Sequence, residues 1–259
     1  MFELDQIASF YPENIRGFKR NILREYLQYK VLEIVFDSKF GSNLSFMGGT
    51  AVHMIYQNDR FSEDLDFDNL GLAVKDFEEL SLIIQNKLKL EGYSSEVRNK
   101  FTGAFQSQIK FPDILFESGL SSHRNEKLLI GLDAEPQGFE YEPDKPLLNK
   151  FDVFLKINVV PVDILLSQKI CAVFKRRRTM GRDFYDIVFL MGRTKPNLDY
   201  LRLKFNINSF SELKNRLIDK CRNLDFEQLA RDVQPFLFNP SNSKKVLNFY
   251  DYIEQYQFD

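Results

Sequence analysis

Two short segments restrict what this chain can fold into more than anything else in it. Leu44 to Met47 is an apolar stretch that runs into Gly48, Gly49 and Thr50, and fourteen residues after Thr50 comes Asp64-Leu65-Asp66-Phe67. The first reads as a strand stopped by two glycines, with Thr50 placed to cap a helix through residues 51–57. The second alternates polar and apolar residues with period two, which is a strand with one buried face. Strand, glycine turn, helix and strand in direct succession call for a sheet with a helix packed on it. Side chains at i and i+2 of a strand share a face, so Asp64 and Asp66 stand side by side while Leu65 and Phe67 turn to the core.

The rest of the chain extends this unit. Ile15, Phe18, Ile22, Tyr26, Tyr29 and Ile34 recur at helical spacing and predict a helix over 14–36, and Phe77, Leu80, Ile84 and Leu88 predict another over 74–90, ended by Glu91-Gly92. Strand-like stretches lie at 93–98, 104–111, 127–134 and 151–159. After Pro161 the character changes to helices, over 161–177, 182–191, 211–222, 225–236 and 243–256, with N-cap pairs Ser209/Glu212 and Asp225/Gln228. The expected fold class is α+β: a mixed sheet flanked by helices over 1–160, followed by a helical domain over 161–259.

Composition narrows the chemistry. With 44% hydrophobic residues in 259, the chain can bury a sizeable core, and its 26 Phe without any Trp suit core building. Thirty-five Lys and Arg against 37 Asp and Glu leave a net charge of −2, so any basic partner site has to be local. Two His and two Cys are too few for a zinc cluster, and His53, Cys171 and Cys221 read as structural. The scarcity of Cys, an acidic start without an apolar leader, and the absence of a long apolar run predict a cytoplasmic protein with no membrane segment.

Two glycines after a strand let backbone amides approach a phosphate with no Cβ in the way, and the following helix N-terminus favours an anion. Gly48, Gly49 and Thr50 are therefore a candidate triphosphate cradle. The Asp64 and Asp66 carboxylates repel unless a cation or a proton neutralises them, and such hard oxygen donors suit Mg²⁺. Either motif alone is equally an ordinary strand face or a turn. Their order brings them side by side, and that combination carries the reading.

The stretch from Phe46 through Gly48-Gly49-Thr50 to Val52, with Arg60 to Phe67, resembles the nucleotidyltransferase signature of the AbiEii/AbiGii toxin family, DNA polymerase β-like enzymes of type IV toxin–antitoxin pairs. Lys169 to Arg176, followed by Arg182-Asp183-Phe184-Tyr185-Asp186, resembles that family's later Lys/Arg helix and its RDxxD motif. The resemblance implies a nucleotidyltransferase-type sheet and a helical half that contributes its Lys/Arg and Asp motifs to the active site. It implies transfer of a nucleoside monophosphate from an NTP to an acceptor such as tRNA or another RNA, with pyrophosphate released. Two Mg²⁺ ions and a separately encoded antitoxin are also implied.

On that resemblance Asp64, Asp66 and Asp133 are the catalytic and metal-binding carboxylates. Asp133 would complete the acceptor-side metal or act as base, and Glu135 is the alternative on the same face. Gly48, Gly49, Thr50, Lys169 and Arg176 would hold the nucleotide, with Lys169, Asp183 and Asp186 also in the catalytic set. Lys169 and Arg176 lie seven residues apart, about 700° around a helix, and so share a direction. Asp183 and Asp186 either orient these cations or favour the helix start, while Arg60 and Ser62 brace the Asp-x-Asp strand or touch phosphate. The run Lys175 to Arg178 with Arg182 is a candidate for an RNA backbone, against the ordinary reading of a solvated helix end. Two alternatives stay open: a non-catalytic protein of the same fold, and a nucleotidyltransferase acting on a small molecule such as an antibiotic.

Overall fold

The computed structural model describes residues 3–258; Met1 and Phe2, at the head of the acidic opening stretch, lie outside the described residues. The chain divides into two compact units, the first made of residues up to 56, 61–138 and 143–160, the second of 57–60, 139–142 and 161 onwards.

The first unit contains helices α1 (Leu4–Ala8), α2 (Lys19–Asp37), α3 (Gly48–Tyr56), α4 (Val74–Leu90) and α5 (Ile114–Glu117). Its strands are β1 (Leu44–Met47), β2 (Leu65–Asn69), β3 (Glu96–Thr102), β4 (Ala104–Phe111), β5 (Leu128–Glu135), β6 (Leu147–Lys150) and β7 (Val153–Lys156). Five strands form one mixed sheet in the order β1-β2-β5-β4-β3, and β6 and β7 make a separate hairpin. Within the five-stranded sheet, among the described residues, only β2 and β5 pair in parallel. The stretch 151–159 read as one strand is thus only part strand: Phe151 takes a left-handed φ of 58° in the β6–β7 turn, and the chain folds back on itself there.

One face of the sheet is covered. Phe77 of α4 meets Phe101 of β3 and Phe105 of β4, while Phe36 of α2 lies 6.1 Å from Phe67 of β2. Leu65, Phe67, Leu132 and Ala134 are essentially inaccessible on that side. Burial of this apolar surface, at roughly 25 cal/mol per Å², is what holds the helices on the sheet.

The second unit is helical: α6 (Val162–Lys175), α7 (Gly181–Met191), α8 (Leu198–Phe205), α9 (Phe210–Cys221), α10 (Phe226–Val233), α11 (Lys244–Leu247) and α12 (Phe249–Gln255). The expected caps form in part. Ser209 Oγ accepts from the Glu212 amide and Asp225 Oδ1 from the Gln228 amide, but the Glu212 carboxylate reaches back to the Asn208 amide rather than to that of Ser209. Helix α8 escaped the pattern reading because it spans only two turns. Its signal is Pro196-Asn197, where the Asn197 side chain accepts from the Tyr200 amide. Gly181 opens α7 against α10, and a Cβ there would fall on the carbonyl oxygen of Leu229. Among the described residues no helix is long and apolar enough to cross a membrane.

Candidate active site

The first unit assembles the sheet-borne residues. Asp64 sits one residue before β2, and Asp66 stands on β2 in register with Asp133 on the parallel strand β5. All three carboxylates therefore lie on the face opposite α2 and α4, where Asp64 is exposed and Asp66 and Asp133 are half-buried. Burial raises the Asp133 pKa and the nearby Asp64 and Glu135 raise it further, while Gln106 on β4 opposes them by donating Nε2 to Asp133 Oδ2 at 3.4 Å. Glu135, two residues beyond Asp133 at the strand end, is exposed and stands opposite Asp68 rather than Asp66.

Two glycines make the arrangement sterically possible. Gly48 takes φ +77°, and a Cβ on it would overlap the Asp66 carboxylate. Gly131 on β5 donates its amide to Asp64 Oδ1 at 3.1 Å, and a Cβ there would stand 2.7 Å from that oxygen. The sequence reading missed Gly131, although a glycine inside a strand commonly marks such a close approach.

The cap expected at Thr50 is corrected. The left-handed residue at Gly48 turns the chain at once, so α3 begins at Gly48 and Thr50 lies inside it. Thr50 is buried and its hydroxyl donates to the backbone carbonyl of Asp64, tying the helix to the Asp-x-Asp segment. That hydroxyl is engaged within the protein; of the cradle residues only Gly48 is partly accessible, Gly49 being buried as well.

Oxygen donors on a half-exposed face are the right chemistry for Mg²⁺. Among the described residues no three His, Cys, Asp or Glu side chains close into a cage by themselves. Mg²⁺ is commonly bound through one or two carboxylates, with waters and substrate phosphates completing the shell, and one or two of Asp64, Asp66 and Asp133 are donors of that kind.

The second unit gathers the other predicted residues. Asp186 of α7 is the centre of a buried ion cluster: Arg60 grips it with two bonds of 2.6 and 2.5 Å, Asn58 donates at 2.8 Å, and Lys169 Nζ lies 2.9 Å away. Lys169 and Arg176 both also reach Asp183, at 3.7 and 3.2 Å. They converge as expected, but not by helical phase, because α6 ends at Lys175 and Arg176 is extended backbone beyond it. Asp183 and Asp186 are 1% and 0% exposed. Burial alone would raise the Asp186 pKa, but Arg60 and Lys169 outweigh it and hold the carboxyl below its ordinary value. The burial narrows the expectation that these two aspartates touch substrate: their surroundings are cations of the protein itself. Residues 57–60 belong to this unit through Arg60 and through the Phe238 amide, which donates to the Asp59 carbonyl. Of the basic run, Arg178 approaches Asp232 at 3.9 Å and Arg182 lies over the Phe236 ring, whereas Lys175 and Arg177 are exposed.

The family model of the nucleotidyl transferase AbiEii toxin of type IV toxin–antitoxin systems matches residues 30–247. This chain belongs to the AbiEii nucleotidyltransferase family. No curated relative matches the sequence. Two solved structures from Helicobacter pylori share the fold: JHP933, at 17% identity and TM-score 0.51 over 91% of this chain and 92% of that one, and a candidate nucleotidyltransferase, at 16% identity and TM-score 0.52 over 95% and 96%. As an AbiEii member the chain is a nucleotidyltransferase, and its α+β class is that of the family.

Proposed function

We propose that this AbiEii protein transfers a nucleoside monophosphate from an NTP to an RNA acceptor in a Mg²⁺-dependent reaction, as the toxin of a pair held in check by a separate antitoxin. The observation that supports the reading most is the row formed by Asp66 and Asp133 in register, with Asp64 tied to the neighbouring Gly131 amide, on a sheet face that α2 and α4 leave open.

In the transfer, the acceptor hydroxyl oxygen forms a bond to the α-phosphorus as the bond to the bridging oxygen breaks, pyrophosphate leaves, and the hydroxyl proton goes to a base. Asp64, Asp66 and Asp133 would hold Mg²⁺, which when bound neutralises phosphate charge and lowers the pKa of the attacking hydroxyl. Asp133, whose pKa is raised, either completes that donor set or takes the proton on its carboxylate. The absent Cβ of Gly48 makes room for the Asp66 carboxylate, and a phosphate held near Asp66 would meet the partly accessible start of α3 there. In this reading Asp183 and Asp186 are positioning residues that hold Lys169, Arg176 and Arg60 within the second unit.

The test is incubation of the purified protein with Mg²⁺, each α-labelled NTP in turn, and total RNA. Label entering RNA with stoichiometric pyrophosphate is expected for at least one NTP. Label in no RNA with any NTP would overturn the acceptor assignment.

A further inference from the structure

The sheet face that bears the carboxylates continues beyond them. Following the strand register outward from β5, Asp133 is opposite Gln106 on β4, which is opposite Lys100 on β3. The adjacent row runs Gly131, Gln108, Arg98, and the next Leu129, Lys110, Glu96. Arg98, Lys100 and Gln108 are exposed and Lys110 is half-buried. Among the described residues none of these three side chains donates a hydrogen bond or has a carboxylate within 4.0 Å, although Arg98 and Lys110 lie near enough to Glu96 to help lower its pKa. Glu96 is engaged by Lys127 at 2.8 Å.

The ordinary explanation of cations on β3 is protection of an edge strand against pairing with another chain. That purpose is served on either face and needs nothing from an inner strand. Here both β3 cations share the carboxylate face, and Lys110 and the two glutamine amides beside them are on β4, which is paired on both sides. Nor do the cations neutralise the carboxylates. Lys100 is two strand spacings from Asp133, about 10 Å, too far for an ion pair. What they can do is act on something that spans that distance. A phosphate-rich acceptor approaching Asp64, Asp66 and Asp133 is repelled by them, and a cationic surface one or two strands away offsets that repulsion for a polyanion long enough to touch both.

We propose that this face of β3 and β4, with Arg98, Lys100 and Lys110 as the cations and Gln108 as a hydrogen-bonding amide, docks the sugar–phosphate backbone of the RNA acceptor. The inference rests on the transfer reading above and adds to it the surface that receives the acceptor. It differs from the basic run at 175–178, where Arg176 and Arg178 already have carboxylate neighbours.

The experiment compares wild type with the triple variant Arg98→Gln/Lys100→Gln/Lys110→Gln and with Lys175→Gln/Arg177→Gln. Affinity for fluorescein-labelled bulk tRNA is measured against salt, NTP affinity by calorimetry, and transfer with labelled NTP. Each lost phosphate contact lowers the salt slope by about 0.7 to 0.9, so the triple variant is expected to lose about 2 from the slope and about tenfold in affinity at low salt. Its NTP affinity and melting temperature should stay at wild-type values. A triple variant that binds tRNA with the wild-type slope overturns the docking surface, as does loss of the slope in the 175/177 variant instead. A triple variant that keeps tRNA binding but loses binding to polyglutamate would assign the face to an acidic protein and equally overturn the proposal. A wild type that binds NTP and tRNA yet transfers no label would instead sink the transfer reading, so the two failures are separable.

Discussion

Five aspartates frame the chemistry of this chain, and the two units treat them in opposite ways. On the sheet, Asp64, Asp66 and Asp133 are left at least partly open to water, and Asp133 is pushed toward its neutral form by burial and by like charge. On α7, Asp183 and Asp186 are closed off from water, and Asp186 is held ionised by Arg60 and Lys169. The carboxylates that cost stability face outward, and those that the fold depends on are enclosed with their counter-ions. In the proposed reading the solvent-facing carboxylates would hold a cation, whereas the buried Asp186 with its bidentate arginine already has one.

The strongest way to break this contrast is to remove charge on the sheet. Asp64→Ala and Asp66→Ala should each lower the transfer rate by roughly a thousandfold, several kcal/mol of transition-state stabilisation, in a protein that still folds and melts cooperatively. Residual transfer near wild type at saturating Mg²⁺ would place the metal elsewhere. The mirror experiment is Arg60→Ala, which leaves the buried Asp186 with the Asn58 amide and the Lys169 ammonium but without its bidentate arginine. About 3–5 kcal/mol of stability should be lost, read as a fall in the urea midpoint; a midpoint unchanged by the substitution would mean the cluster is not structural.

Glu25 sharpens the comparison, because it is buried in the same unit as the open carboxylates. Glu25 of α2 accepts from Lys150 at 2.7 Å and lies 2.9 Å from His53 Nε2. Burial by itself would raise its pKa, but His53 and Lys150 outweigh that and bring it from 4.5 down to about 2. A depressed folded-state value contributes stability that is present above pH 4.5 and lost as pH falls through about 2, on the order of 3 kcal/mol across that window. Glu25→Gln should therefore be less stable than wild type at neutral pH, with the difference shrinking through that acid window. A gap that stays constant with pH would show that Glu25 is not held ionised. The smallest effect is expected at Asp133. Removing its charge in Asp133→Asn relieves repulsion, so the variant should melt at or slightly above the wild-type temperature while losing transfer. A lower melting temperature would mean that Asp133 is a structural carboxylate like Asp186.

Much of the first unit could be read directly. The limits of α4 fall where the periodicity of Phe77, Leu80, Ile84 and Leu88 puts them, and β1, β4 and β5 lie within a residue of their expected spans. The Asp-x-Asp segment was placed early, because Asp64 precedes the ladder that begins at Leu65. The long helix read from 14 starts only at Lys19, after a separate turn at Glu13–Ile15. Alternation and helical period are properties of neighbouring residues, so a strand facing a core announces itself without knowledge of its partner.

What pattern could not supply were the relations across sequence distance. That Asp66 stands level with Asp133, that Gly131 must lack a side chain because Asp64 leans on it, and that Gln106 and Lys100 continue the same row are consequences of the strand order β1-β2-β5-β4-β3. Likewise the pairing of Arg60 with Asp186 joins residues 126 positions apart. The types and spacings of the site residues were determined by the sequence itself, since carboxylates at i and i+2 and glycines after a strand have local meanings. Which carboxylates remain open and which are enclosed was decided only by tertiary structure, because burial and register depend on which distant segments come to lie alongside.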